Sequence, residues 1–276
     1  MGKEVSAACV RRGFKVANVA LTGPGCSGSY QLTLEEEKVD QTIELVEVNE
    51  ANTAKLDEVF AKAKAEYGDG LICIDFTHPT AVGPNSELYV KHMVPFVFGT
   101  TGGDREALMK RVADSGVYAV IAANMCKQIV ALQATMEHMA TNFPGAFSGY
   151  KLKITESHQS GKADTSGTAK DMMAYFKELN GESSFELENI SKIREREGQL
   201  AFGVPEDSLA GHAFHTYELR SEDGSVHFQF QHNVCGRRTY AEGVTDAVQF
   251  LAQRIVEKSE KKLFNMIDIL KEGAMR

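Results

Sequence analysis

Through its first half the chain alternates helix-like with strand-like segments, and this rhythm restricts the fold more than any other feature of the sequence. Apolar strands separated by amphipathic helices have no short hairpins to join them, so they are expected to lie parallel in a helix-covered sheet. Lys3–Arg12 reads as a short helix ended by Gly13, and Lys15–Leu21 as a strand running into the Gly-, Pro- and Ser-rich loop Thr22–Ser29. Ile43–Val48 is a second strand. Helix Thr53–Tyr67 lines up Leu56, Val59, Phe60, Ala63 and Tyr67 on one face. Leu71–Phe76, Val94–Phe98 and Val117–Ala122 follow as buried strands, with helix at Leu88–His92 and Arg105–Ala113 between them.

After Asn124 the rhythm changes, which marks the start of a second domain. An apolar helix around Ile129–Ala140 leads into Lys151–Glu156, and Ala213–Leu219 and Ser225–His232 read as antiparallel strands about the turn Ser221–Gly224. Val226, Phe228 and Phe230 share one face there, against His227, Gln229 and Gln231 on the other. A long helix carrying Tyr240, Val244, Ala247, Val248, Leu251 and Ile255 on one stripe, then a shorter apolar segment at Leu263–Leu270, close the chain.

A length of 276 residues with 43% hydrophobic composition suffices for two ordinary domains. The net charge of -8, without a basic stripe, argues against a nucleic-acid partner. Cys9, Cys26, Cys73, Cys126 and Cys235 are odd in number and widely spaced, which fits a reducing compartment and neither a disulfide framework nor a metal knuckle. No apolar run approaches the roughly 18 residues of a membrane span. Gly2 and Ser6 match a myristoylation pattern short enough to arise by chance, so no membrane partner is expected.

Ligands of open α/β sheets sit beyond the carboxyl ends of the strands, and three strands here end in polar or glycine-rich turns. These are Asp75–Pro79 (DFTHP), Gly99–Gly103 (GTTGG) and Ala122–Met125 (AANM). Each alone is weak evidence, since such residues commonly end strands with no ligand. Three in series favour a cofactor crevice.

The densest run of functional side chains is Glu156–Ala169, ESHQSGKADTSGTA. Ser166, Gly167 and Thr168 precede a helical run, so N–H groups and hydroxyls are expected to face a carboxylate or phosphate; an ordinary helix cap is the competing reading. His158 and Lys162 just upstream could deliver a proton to a bound anion. The pair His212 and His215 has a spacing that sends strand side chains to opposite faces, so no metal is expected. Cys126 reads as a buried inert thiol.

Together IDFTHP, PFVFGTTGG, ESHQSGKADTSGTA, GHAFHTYEL and FQHNVCGRRTYAEGVTDA resemble the dihydrodipicolinate reductase (4-hydroxy-tetrahydrodipicolinate reductase) family, in a plant-type wording, over nearly the whole chain. The resemblance implies an α/β fold with a Rossmann-like parallel sheet in residues 1–124 and an α+β domain for substrate binding and oligomerisation in residues 125–239. Residues 240–276 would return as a helix to the first domain. It implies hydride transfer from a nicotinamide cofactor to a cyclic imine dicarboxylate, with His158 as acid/base, Lys162 as partner proton donor, and Gly167 and Thr168 as carboxylate clamp. Ser166 belongs to that segment, and Gln159 stands where bacterial members have a substrate-contacting histidine. Gly99, Thr100 and Thr101 match the loop beside the nicotinamide, and Ala122, Ala123, Asn124 and Met125 the segment closing that side; Phe76 and Thr77 follow the neighbouring strand. A homotetramer is implied.

The chain departs from the family pattern at its start. The family opens with a strand and a glycine-rich loop ending in Met-Gly, and Met1 and Gly2 stand at that Met-Gly, so the first strand of the sheet is expected to be missing, leaving unpaired edges in its middle. The chain is then either a clipped or mis-started active reductase or a short form acting only as an oligomer subunit. Another nicotinamide enzyme of the aspartate pathway is the third reading. NADPH is the expected cofactor, with NADH possible, because no Asp or Glu follows Leu21 in TGPG to hold a ribose 2′-OH. The expected location is the plastid stroma for a plant or algal protein and the cytoplasm otherwise, the targeting segment lying outside this chain.

Overall fold

The computed structural model describes residues 1–23, 25–181 and 184–274. The chain divides into two compact units, unit 1 formed by Met1–Lys127 with the segment from Tyr240 onward, and unit 2 by Gln128–Thr239.

Unit 1 opens with α1 (Gly2–Arg11), β1 (Val19–Thr22), β2 (Gly28–Leu34), β3 (Val39–Glu47) and α2 (Thr53–Tyr67). It continues with β4 (Cys73–Asp75), α3 (Val82–Lys91), β5 (Phe96–Phe98), α4 (Arg105–Ser115) and β6 (Ala119–Ile121). Unit 2 contains α5 (Lys127–Asn142), β7 (Lys151–His158), α6 (Gly167–Asn180), β8 (Ser191–Ile193), α7 (Arg196–Ala201), β9 (His212–Arg220) and β10 (His227–Cys235). The chain then forms α8 (Arg238–Val256), β11 (Leu263–Phe264) and α9 (Met266–Lys271).

The described strands of unit 1 form two sheets, β1-β3-β2 and β11-β6-β5-β4, with β4, β5, β6 and β11 mutually parallel. β1 pairs parallel to β3 alone and β4 to β5 alone, so each presents a second edge without a strand partner among the described residues. Even so, Leu21 of β1 packs on the core formed by Phe60, Tyr89, Phe96, Phe98 and Leu108. A separate small cluster of Ala7, Leu32 and Ile43 holds α1 on the three-stranded sheet.

Two expectations are corrected here. The loop Thr22–Ser29 ends earlier, at β2, a strand antiparallel to β3 of which only Leu32 is buried; Pro24 of that loop lies outside the described residues. An edge strand with one solvated face offers little apolar signal. The segment Leu263–Leu270 is not one apolar element but β11 followed by α9, which starts with a reciprocal cap between Asn265 and Asp268.

In unit 2 one sheet runs β10-β9-β7-β8. Its apolar face (Ile154, Tyr217, Leu219) packs on Met136 and Ala140 of α5 and on Met172, Phe176 and Leu179 of α6. That stacking fixes where the start of α6 falls relative to the end of β7.

Candidate active site

In unit 2, antiparallel pairing sets Glu156 opposite His215 and His158 opposite Ala213, while β10 brings His232 opposite His215. Strand alternation turns Glu156 and His158 to the same face, and both are buried with His215. His158 Nδ1 lies 3.1 Å from the carbonyl oxygen of His212. A carbonyl only accepts, so Nδ1 carries the proton and Nε2 is bare. Nε2 faces His215 Nε2 at 3.3 Å, which makes His215 the donor there and leaves its Nδ1 as a lone pair. That Nδ1 is the atom of His215 found buried without a partner. His215 stacks on His232 at 4.7 Å between ring centroids, and the Tyr217 hydroxyl reaches His232 Nε2 at 3.2 Å. His212 points to the other face, as its spacing predicts, where Nε2 meets the Ser157 hydroxyl at 2.8 Å.

Glu156 is fully buried and is neutralised by the guanidinium of Arg194. Its Oε2 accepts the N–H of Ser166 at 3.0 Å, so that donor, expected to face a ligand, is already taken by the protein. Ser166 caps α6 by position without a capping bond from its side chain, and Gly167 and Thr168 form the first turn. Lys162 Nζ bonds Asp164 Oδ1 at 2.6 Å, and its N–H closes a turn on the carbonyl of Gln159 at 3.0 Å.

Burial pushes His158 down to about 3, helped by the positive charges of Lys162 and then Arg194. Burial also holds His215 well below the usual imidazole range and brings His232 down to about 4. The cluster is therefore neutral at pH 7. Nitrogen and oxygen atoms of Glu156, His158 and His215 lie within 4.8 Å of one another, a spacing a metal could use. Glu156 is satisfied by Arg194 and Ser166, and the Nε2 atoms of His158 and His215 by each other, so a cation there would compete with Arg194 and Lys162.

In unit 1 the registers Asp75↔Phe98 and Phe98↔Ile121 align the carboxyl ends of β4, β5 and β6, so Phe76, Thr77, Gly99, Thr100, Thr101 and Ala122–Met125 all follow one edge of that sheet. Asp75 organises the first of these turns. Its Oδ1 accepts from the Thr77 N–H (3.0 Å), the Thr77 hydroxyl (2.8 Å) and the Thr100 hydroxyl (2.7 Å). Its Oδ2 accepts from Asn85 Nδ2 and the Tyr89 hydroxyl, both at 2.8 Å. The threonine hydroxyls are thus turned inward.

At Gly99 a Cβ would sit 2.2 Å from the Phe76 ring, so the absent side chain there makes room for Phe76. Gly103 has φ +68 and a Cβ position 2.7 Å from the Pro79 carbonyl oxygen, so it serves close packing and a turn. Met125 presses its carbonyl onto Gly243 of α8, where a Cβ would lie 1.6 Å from that oxygen. Gly2 opens α1, on the three-stranded sheet.

The sequence reading gave no role to Arg194, Gln199, His215, His232 or Asp75. Pairing Lys151–His158 with the strand through GHAFHTYEL would have placed His215 beside Glu156; the run IREREG carries no comparable signal for Arg194.

Fold and site define a two-unit α/β protein, one unit built on a four-stranded parallel sheet beside a three-stranded one and the other on a mostly antiparallel sheet whose buried histidines adjoin a helix start. Residues 1–125 match the family described as dihydrodipicolinate reductase, N-terminus, and residues 128–270 its C-terminus. A protein named 4-hydroxy-tetrahydrodipicolinate reductase 2, chloroplastic, from Arabidopsis thaliana is 49% identical over 243 residues, 87% of this chain and 69% of the relative. The probable reductase 1, chloroplastic, of Oryza sativa subsp. japonica is 45% identical across 100% of this chain and 77% of its own length. A solved dipicolinate-bound dihydrodipicolinate reductase from Paenisporosarcina sp. TG-14 shares the fold at TM-score 0.57 and 19% identity, over 96% of this chain and 92% of that one. The chain belongs to the dihydrodipicolinate reductase family.

Proposed function

We propose that this protein reduces 4-hydroxy-tetrahydrodipicolinate to tetrahydrodipicolinate with a reduced nicotinamide cofactor, in the diaminopimelate route to lysine. The observation that carries the proposal is the set of buried His158, half-buried Lys162 and the start of α6, inside a chain whose two halves both match the family. A bound reduced nicotinamide would supply the hydride that C4 of the cyclic imine gains, while the 4-hydroxyl, on taking up one proton, leaves as water.

His158 handles that proton. At rest its Nε2 is a bare acceptor, and the negative charge of a bound dicarboxylate offsets Lys162 and Arg194, so protonation at Nε2 becomes easier when substrate is present. Lys162 is the second donor, exchanging Asp164 for the substrate. Gly167 and Thr168, in the first turn of a fourteen-residue helix, hold one carboxylate by backbone N–H groups and the helix dipole, with Ser166 and Gln159 alongside.

The aligned turns with Phe76, Thr77, Gly99, Thr100, Thr101, Ala122, Ala123, Asn124 and Met125 suit the nicotinamide end of the cofactor, since Asp75 holds the backbone of Thr77 and Gly99 and the hydroxyl of Thr100 without help from a ligand. NADPH is preferred, because no carboxylate follows β1 to repel a 2′-phosphate. A homotetramer is supported by β10, the edge of its sheet, with Val226 39% and Phe228 43% exposed at that end. Plastid location is supported by the chloroplastic relatives, and no described helix is long and apolar enough to cross a membrane.

Assaying NADPH and NADH oxidation with freshly made substrate tests the reaction; absence of substrate-dependent oxidation with both would reject it, and oxidation only with another aspartate-pathway metabolite would reassign the substrate. One observation favours a second reading, an inactive form that does not bind cofactor and acts only as an oligomer subunit: β1 and β4 share no hydrogen-bonded register. Titrating the full chain with NADPH by fluorescence separates the two.

A further inference from the structure

Arg194 spans the segment between the end of β7 and the start of α6 from below. Its Nη2 pairs with Glu156 Oε1 and reaches the Asp164 carbonyl at 3.4 Å, and its Nε donates to the Lys162 carbonyl at 2.8 Å. Glu156, through its other oxygen, holds the N–H of Ser166. Gln199, 3% exposed, completes the frame, donating from Nε2 to the carbonyls of His158 and of Arg194, each at 2.8 Å. One guanidinium, one carboxylate and one amide therefore bind the backbone at 158, 162, 164 and 166, at both ends and the middle of the segment. None of the three side chains comes from the segment itself. The planar fork of arginine fits this task, since separate N–H groups point at separate acceptors, whereas a lysine presents one compact charge.

We propose that Arg194, acting through Glu156 and assisted by Gln199, is the positioning residue that shapes segment 159–166 so that Lys162 and the first turn of α6 engage one dicarboxylate beside His158. The inference rests on the proposed reductase reading for its kinetic consequence and on geometry alone for its structural one. Desolvation explains why the pair is not an ordinary surface contact: Glu156 is fully buried, so removing Arg194 leaves an uncompensated carboxylate whose relief is to pull away from Ser166 or take up a proton. Either response moves the helix start, and displacement of about 1 Å in a substrate-orienting group is enough to cost on the order of 100-fold in rate.

The experiment compares the full-length protein with Arg194→Ala, Arg194→Lys and the neutral double variant Glu156→Gln/Arg194→Met. For Arg194→Ala the Michaelis constant for the dicarboxylate should rise and kcat should fall, together lowering kcat/KM about 100-fold, while the cofactor's Michaelis constant stays within twofold. Added guanidinium should restore part of the loss in Arg194→Ala and none in Arg194→Lys, a rescue that a general loss of folding would not show. In parallel, amide hydrogen exchange should quicken across 159–166 and the first turn of α6 in Arg194→Ala, with β9 and the body of α6 unchanged. If Arg194→Ala fails to fold, the double variant, which buries no charge, carries the same kinetic and exchange readouts. Unchanged exchange in 159–166 overturns the inference whether or not the protein turns over substrate. Wild-type protein inactive on the substrate, with exchange in 159–166 still quickened by the variant, would instead overturn the reductase reading and leave the positioning role standing.

Discussion

Units 1 and 2 solve the same problem, holding polar side chains at the end of a sheet, with opposite chemistry. At the end of β4 in unit 1 the buried carboxylate Asp75 is surrounded by neutral donors from Thr77, Asn85, Tyr89 and Thr100. In unit 2 the buried carboxylate Glu156 is matched by a guanidinium and adjoins three imidazoles, His158 edge-on to His215 and His215 stacked on His232. The first arrangement fixes backbone without mobile protons, which suits a scaffold for a bound cofactor. The second places exchangeable protons and positive charge around an acceptor nitrogen. The sheets differ in the same sense, continuous in unit 2 and in two pieces in unit 1.

The largest effect expected from that contrast is kinetic. His158→Ala should lower turnover by about 10²- to 10⁴-fold, the usual contribution of a general acid–base group, while NADPH binding measured by fluorescence is unaffected. Unchanged turnover would remove the proton chemistry from unit 2 and leave the comparison without its functional half.

Next comes stability. Asp75→Ala strands several buried donors, and a loss of about 3 kcal/mol is expected. If the units are as separate as their cores, hydrogen exchange should quicken in β4, β5 and β6 and leave β7 and β9 protected. Equal loosening in both units would show that they unfold as one.

Acid should act the other way round, on unit 2. The folded-state values of His158, His215 and His232 all lie below the ordinary imidazole value, so the unfolded chain binds protons more readily in between. The favourable difference is intact above about pH 6.5 and is lost as pH falls toward about 4 for His232 and about 3 for His158. By pH 5 His158 alone costs on the order of 2 kcal/mol. Denaturant midpoints followed through unit 2 amides should fall over that window, and a flat profile between pH 7 and 5 would contradict the buried neutral cluster.

Legibility followed the physical range of the interactions. The alternation of elements in unit 1 could be read because amphipathic spacing is local: Leu56 and Phe60 are buried as their stripe requires, and Phe96–Phe98 is wholly buried as an apolar run should be. The segment ESHQSGKADTSGTA was visible because its chemistry is contiguous. What escaped was non-local or half-solvated. β2 buries only Leu32, so its pattern is faint. Arg194 meets Glu156 from 38 residues away, and His215 meets His158 from 57, through strand registers that no single segment encodes. The packing at GTTGG is equally non-local, since Gly99 and Gly103 are required by Phe76, Pro79 and Val82, partners that only the tertiary structure supplies.

The smallest prediction tests the electrostatic side of the comparison. Lys162 is the second cause, after burial, of the low His158 value, and it does this across space while its own ammonium stays on Asp164. Lys162→Met removes that charge and leaves the burial of His158 in place, so the His158 titration followed by NMR should move upward yet remain below the ordinary imidazole value. An unmoved midpoint would mean that Lys162 contributes nothing and that burial with Arg194 keeps His158 neutral. A midpoint at or above the ordinary value would mean that the ring is solvated, and the buried acceptor described for unit 2 would have to be abandoned. The intermediate result is the one in which a dicarboxylate, by occupying Lys162, can make His158 a proton donor only while substrate is bound.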